Sequence, residues 1–267
     1  MIEPQPSQDD PDFPWWLVAA GCIGVGVAIV IATSDLYTQV FSTVSKGITI
    51  TIFVTLVGFT LASVIGLLVA VLSLSRFLIL RQIARFYVEI IRGVPILVLL
   101  FFIAFVGAPA LVSAINVLAS PLTGGEPLLM VRDISLLWRA VLALCIGYSA
   151  FIAEVFRAGI QAVDKGQIEA ASALGLSPFQ RFRLIIMPQA IRTILPPLGN
   201  DFVAMVKDSS LVSVLGVADI TQMGKVYAAG SFLFFETYSI VAYVYLLLTI
   251  SLSIALRRLE LRLRQRQ

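Results

Sequence analysis

The chain has 267 residues, 59% hydrophobic and only 13% charged, against about 25% charged in an average soluble domain, and its mean hydropathy is +0.96. No soluble core of this size buries so much apolar surface, so lipid must face part of the chain and a soluble enzyme is excluded. Histidine is absent, which removes His-based catalysis, His-liganded zinc and Ser/His intramembrane proteolysis, and a net charge of +3 is too small to suggest nucleic acid as a partner.

In chain order, an acidic leader (1–14) precedes an apolar run at 15–32. The leader carries no base and no A-x-A site follows the run, so the segment 15–33 is expected to stay in place as an extra N-terminal membrane helix rather than leave as a signal peptide. Further runs long enough to span a bilayer, about 20 residues each, lie at 48–74, from Gly93-Val94-Pro95 to about 118, at 136–156, at 198–217 and at 237–256. The expected fold is therefore all-α and polytopic, with about six membrane helices. The membrane domain covers 48–257 and a basic tail covers 258–267. Cys22 and Cys145 both lie in apolar stretches, have no disulfide or metal spacing, and read as packing residues. There is no internal repeat.

Basic residues fix the orientation. One side collects Arg76, Arg81, Arg85 and Arg92 between the second and third runs, and Arg157, Lys165, Arg181, Arg183 and Arg192 between the fourth and fifth. It also collects Arg257, Arg258, Arg262, Arg264 and Arg266 in the tail. The other side holds Lys46, Arg132, Arg139 and Lys225. This bias places both long basic connections, and with six spans both termini, in the cytoplasm.

The connection at 164–188 is patterned as a helical hairpin. Asp164 reads as an N-cap with Gln167 at the third helical position, and helix formers follow up to a stop at Gly175. Ser177-Pro178-Phe179-Gln180 then supplies a cap, a first-turn proline and a capping box. The second helix is expected to end or kink at Pro188. Two amphipathic helices lying on the inner leaflet would need the same caps, so the pattern alone leaves both readings open.

Here the residues resemble a known family. Glu169-Ala170-Ala171, Gly175 after three intervening residues, Ile185 after nine more, and Met187-Pro188 where Leu-Pro is usual match the EAA loop of ATP-binding-cassette importer permeases. The segments 87–95, 153–160, 188–190 and 207–211 resemble the branch that imports polar amino acids such as histidine, glutamine or arginine. Most members of that branch have five spans, which makes 15–33 an addition, and the outer loop 119–137 is longer than usual. The resemblance implies a permease subunit of a bacterial inner-membrane importer, whose partners are a cytoplasmic ATPase dimer, a second permease subunit (identical or a paralogue) and a periplasmic amino acid binding protein. It assigns ATPase coupling to Glu169, Ala170, Ala171, Gly175 and Pro188. ATP and magnesium belong to the partner ATPase, since no G-x-x-x-x-G-K-[ST] occurs in this chain. The chain itself is expected to be no enzyme and to bind no cofactor or metal.

Ionisable groups at membrane depth cost several kcal/mol unless paired or wetted, so Asp201, Lys207 and Asp208 in the fifth run need a reason. Pro196-Pro197 is expected to open that helix. Asp201 and Asp208, seven apart, share a face, and Lys207 points about 120° away. By family position Asn200-Asp201 falls at an acidic substrate ligand, and Asp208 and Ser209 complete the expected substrate-binding set. Structural pairing within the bundle is the alternative for each. Glu154 with Arg157, and Glu89 with Arg92, are spaced for ion pairs. Gly147-Tyr148-Ser149 reads as a close-packing or cavity-lining turn, since Phe151 replaces the second glycine of a nucleophile elbow. The alternative functions are a secondary amino acid transporter, or a permease for neutral polar amino acids such as glutamine. The topology is directly checkable: a reporter fused at either terminus should read as cytoplasmic, and an external N-terminus would mean that 15–32 does not span or that another of the six spans is wrong.

Overall fold

The computed structural model of the chain describes residues 15–264, which are helical and contain no strand. The acidic leader and positions 265–267 of the basic tail lie outside the described residues. Four stretches among the described residues are long and apolar enough to cross a membrane: Asp35–Ser73, Ile96–Thr123, Leu136–Gln161 and Phe234–Leu259. They coincide with the second, third, fourth and sixth expected spans. A shorter apolar helix, α1 (Trp15–Thr33), precedes them.

A helix not expected from the apolar runs, α2 (Asp35–Ser45), leads into α3 (Ile48–Ser73). The break between them falls at Gly47, which lies so close to another segment that a Cβ there would sit 2.3 Å from the Asp219 carbonyl carbon and the Ile220 nitrogen. The second apparent loop is also helical. α4 (Leu78–Gly93) turns Ala84 and Val88 inward and leaves Ile79 and Phe86 exposed, so Arg81, Arg85 and Arg92 sit on a rigid element. The break that follows at Val94-Pro95 obeys proline's restriction on its predecessor: Val94 is extended, and a new helix starts at once.

The third span consists of α5 (Ile96–Phe102), a π turn (Ile103–Gly107) and α6 (Ala108–Thr123). The long outer loop beyond it is ordered by side chains. The Asn116 amide both donates to and accepts from the Leu129 backbone, at 2.7 and 3.0 Å. The Arg139 guanidinium donates to the carbonyls of Ile134, Val131 and Ala104. Gly124 and Gly125 supply the left-handed turn, with φ of 65° and 92°.

The centre of the bundle is α3 against α7 (Leu136–Gln161). Gly58, Ala62, Gly66 and Ala70 recur every four residues on α3 and are buried. Gly58 lies against Leu144 and the Val141 carbonyl of α7, and Ala62 packs with Cys145, Tyr148 and Ile152. A Cβ on Gly66 would lie 2.9 Å from Ile152 Cγ2 and 3.0 Å from the Ser149 carbonyl. Small residues at this spacing let two membrane helices approach along their length.

Two elements differ from expectation beyond α7. α8 (Lys165–Ala173) and α9 (Pro178–Arg181) form the hairpin, but α9 does not end at Pro188. It passes through a π turn (Phe182–Ile186) into α10 (Met187–Asp208) without interruption. The expected fifth span at 198–217 is thus not one helix. α10 starts earlier, carries Pro196 and Pro197 in its interior rather than at its opening, and stops at Asp208, where a 3-10 turn (Ser209–Leu215) takes over. Packing overrides the prolines: Ala190 and Ile194 are buried against Gly159 of α7, where a Cβ would lie 2.3 Å from Ile194 Cγ1. Asp208 therefore sits at the helix end and Asp201 well within the helix, not one turn from its start.

α11 (Ile220–Ser231) and α12 (Phe234–Arg264) complete the chain. Asp219, fully buried, caps α11 by accepting from the Gln222 and Thr221 amides at 2.8 and 3.2 Å and from the Tyr245 hydroxyl at 3.0 Å. α1 rests on α2 and α12, with Tyr243 donating to the Gly24 carbonyl at 3.2 Å. Because Gly47 meets backbone rather than a flexible side chain, Gly47→Ala should destabilise by about 1–3 kcal/mol through overpacking, read as a lowered thermal unfolding midpoint of the purified protein in detergent.

Candidate functional site

Two features converge on α10. The first is the hairpin at its N-terminal end. Asp164 caps α8, accepting from the Gln167 amide at 3.2 Å. At the other end of α8, Gly175 (φ 78°) donates to the Ser172 carbonyl at 3.0 Å and Leu176 to the Ala171 carbonyl at 3.1 Å, a Schellman closure. Ser177 and Gln180 form the capping box in both directions, at 3.3 and 2.9 Å. Arg181 donates to the Ser172 hydroxyl, and Gln189 to the Gln167 side chain, clasping α8 to the helix that follows. Val163, Ala190 and Ile194, with Ile168 and Ile186, seat the hairpin on α7 and α10. Ala171 is buried, whereas Glu169, Ala170, Gly175 and Pro188 are exposed. Leu174 (82% exposed) and Phe179 (69%) present apolar side chains at the tip.

The second feature is an open cavity of about 540 Å³ lined by the α4–α5 break, α7 and α10. Its walls are mostly apolar and include Ile96, Leu99 and Phe151. Its charged residues are Arg92, Asp201 and Asp208. Asp201 and Asp208 thus share a face as their spacing required, and Lys207 is exposed and absent from the lining. The two acids differ in their surroundings. Asp208 Oδ2 accepts the Tyr148 hydroxyl at 2.7 Å. Asp201 Oδ2 is buried with no hydrogen-bond partner among the described residues, which is costly for a carboxylate unless something else supplies a donor.

The other expected site residues are not brought to the cavity. Asn200 is exposed and does not line it. Ser209 is fully buried, with its hydroxyl donated back to the Val206 carbonyl at 2.7 Å. Of the two expected ion pairs, Glu154 and Arg157 do pair, and Gln161 also accepts from Arg157. Glu89 and Arg92 do not: the Arg92 guanidinium instead lies over the Phe151 ring, 5.2 Å from its centroid. The helix break explains the difference. Arg92 is in the last turn of α4, beside the Val94-Pro95 corner that forms one wall of the cavity. Sequence spacing alone assigned Arg92 to Glu89, and only that Gly-Val-Pro corner signalled otherwise. Tyr148, the other polar contributor, belongs to the Gly147-Tyr148-Ser149 turn, whose cavity-lining role holds. A Cβ on Gly147 would sit 3.3 Å from Leu99, so glycine lets α5 close against α7. Cys145 is buried beneath the same wall, and Cys22 is exposed on α1.

Residues 62–265 match the family model described as the binding-protein-dependent transport system inner membrane component. The chain belongs to this permease family. It is 36% identical over 205 residues to a probable amino-acid permease protein, YxeN, of Bacillus subtilis strain 168, covering 77% of this chain and 84% of the relative. It is 38% identical over 203 residues to the glutamine transport system permease protein GlnP of Escherichia coli strain K12, covering 76% and 84%. Among solved structures, an amino acid ABC transporter with histidines superposes with a TM-score of 0.69 at 36% identity, covering 85% of this chain and 95% of that one. The MetNI methionine transporter, at 20% identity and a TM-score of 0.63, shares the fold. The permease fold seen here is therefore that of membrane-spanning subunits which work beside a separate ATPase and a binding protein. The matched region begins within α3, so α1 and α2 lie before it.

Proposed function

We propose that this permease forms the translocation pathway of an ATP-driven importer for polar amino acids, with cationic ones preferred, and that the cavity beside α10 holds the amino acid in transit. The observation that carries the reading is the placing of one guanidinium and two carboxylates in a single apolar-walled cavity. A zwitterion inside a membrane must keep both its charges compensated. Arg92 suits the α-carboxylate and Asp201, with an unpartnered oxygen, suits the α-ammonium. The second acid, Asp208, leaves room for a cationic side chain. The neutral reading has its own support: Tyr148 already occupies Asp208, and one relative is named for glutamine.

The hairpin supports a coupling role. Its apolar tip is exposed on an element clamped by caps at every end, which fits a knob seated in a groove of a cytoplasmic ATPase. Because α9, the π turn and α10 are continuous, a displacement of the knob acts on the helix that carries both acids. The partners would be two ATPase subunits holding ATP and magnesium, a second permease subunit that is a copy or a paralogue, and a periplasmic binding protein.

Two outcomes are expected. Truncating one partner of a desolvated charge pair costs roughly 2–5 kcal/mol. Asp201→Ala should therefore raise the half-saturation concentration for uptake by at least tenfold or abolish transport, while ATPase activity without binding protein and amino acid changes much less. Unaltered uptake, with the same order of preference, would show the charge to be structural. In the hairpin, Gly175→Pro or Glu169→Lys should abolish uptake and reduce co-purification of the ATPase while leaving membrane insertion intact. Normal transport by both variants would remove the coupling role.

A further inference from the structure

The two acids of the cavity are held differently, and one side chain makes the difference. We propose that Tyr148 is a specificity-determining residue that sets how available Asp208 is to a substrate side chain, and so sets the balance between neutral and cationic amino acids. The proposal rests on the reading of the cavity as the amino acid site.

The geometry is asymmetric. The phenol of Tyr148 donates to Asp208 Oδ2 at 2.7 Å, whereas Asp201 Oδ2 has no donor among the described residues. A bound zwitterion therefore has one acid already satisfied and one that is not. Its ammonium goes to Asp201 and its carboxylate to Arg92, which exhausts the charges of a neutral amino acid. The remaining negative charge, on Asp208, is stabilised in place by the hydroxyl. A neutral side chain can then occupy the cavity without leaving a carboxylate unsolvated. A cationic side chain competes with the phenol for the same oxygen, or joins it on the other one.

Tyr148 is fixed well enough for this. It is 5% exposed and packs with Ala62, Ile152 and Met205. Its ring lies 6.3 Å from that of Phe151, the residue that carries Arg92. Its chain neighbours are anchored as well: Gly147 by the close approach of Leu99 and Ile96, and Ser149 by the Tyr87 hydroxyl at 2.6 Å. On the other side, Asp208 is the last residue of α10, and Ser209 behind it is tied to Val206. Tyr148 is held in place from several sides, so its hydroxyl meets Asp208 wherever this packing is kept.

Removing the hydroxyl leaves the Asp208 carboxylate short of a donor in an apolar cavity, and a site with an unpaired polar group discriminates strongly for ligands that pair it. Tyr148→Phe should thus weaken binding of a neutral amino acid and strengthen that of a cationic one, moving their affinity ratio by about tenfold or more. The experiment is equilibrium binding of radiolabelled lysine and glutamine to the purified permease–ATPase complex without binding protein. It uses the wild type, Y148F, D208N, the Y148F/D208N double variant and D201A. A ratio is read, so a smaller active fraction does not imitate the effect. The expected result is a shift toward lysine in Y148F that disappears in the double variant, which should match D208N alone. An unchanged lysine-to-glutamine ratio in Y148F, with binding lost in D201A, overturns the role of Tyr148 while leaving the site in place. Binding in D201A equal to the wild type overturns the reading of the cavity itself.

Discussion

Inside a bilayer, apolar surface gains nothing by leaving lipid for another helix, so the depth of backbone approach decides which helices stay together. In this permease that approach is made by α3 and α7. Small residues at every fourth position of α3 lie against α7, and a Cβ on Gly66 would press on Ile152 and on the Ser149 carbonyl. The elements that line the cavity are arranged around this pair. α4 and α5 lean on α7 through Tyr87 and Leu99, and α10 leans on it through Ile194. The cavity is the gap left where α4 stops, α5 begins and α10 passes.

Prolines shape two of the helices in a repeated way. Two π turns occur among the described residues, at Ile103–Gly107 and Phe182–Ile186, and each is followed by a helix whose second residue is proline, Pro109 in one case and Pro188 in the other. A proline inside a helix removes one donor and crowds the preceding turn. A wider turn just before it relieves the crowding and keeps the helix continuous. This is how the hairpin joins the acid-bearing helix without a joint, a result opposite to the stop that the ring suggests when read alone.

The caps at 164–180 were legible in the sequence, because caps, capping boxes and a left-handed glycine are local rules that involve residues within a few positions of each other. The shared face of Asp201 and Asp208 was legible for the same reason, as was the Glu154–Arg157 pair. What escaped was set by contacts distant in sequence. The passage of α10 through Pro196 and Pro197 accompanies burial of Ala190 and Ile194 against Gly159 on another helix. Arg92 leaves Glu89 for the Phe151 ring on another helix. Tyr148 finds Asp208 sixty positions away. Asn200, expected by family position, faces outward on α10, and Ser209, expected beside Asp208, lies one residue past the end of that helix and turns into the packing.

The close approach at Gly159 bears on what the contact between α7 and α10 can tolerate. Ile194 fills the space that a side chain on Gly159 would need, since a Cβ there would lie 2.3 Å from Ile194 Cγ1. The two positions are therefore matched as notch and tooth: a larger residue at 159 can be housed only if a smaller one stands at 194, so the pair is free to change only together.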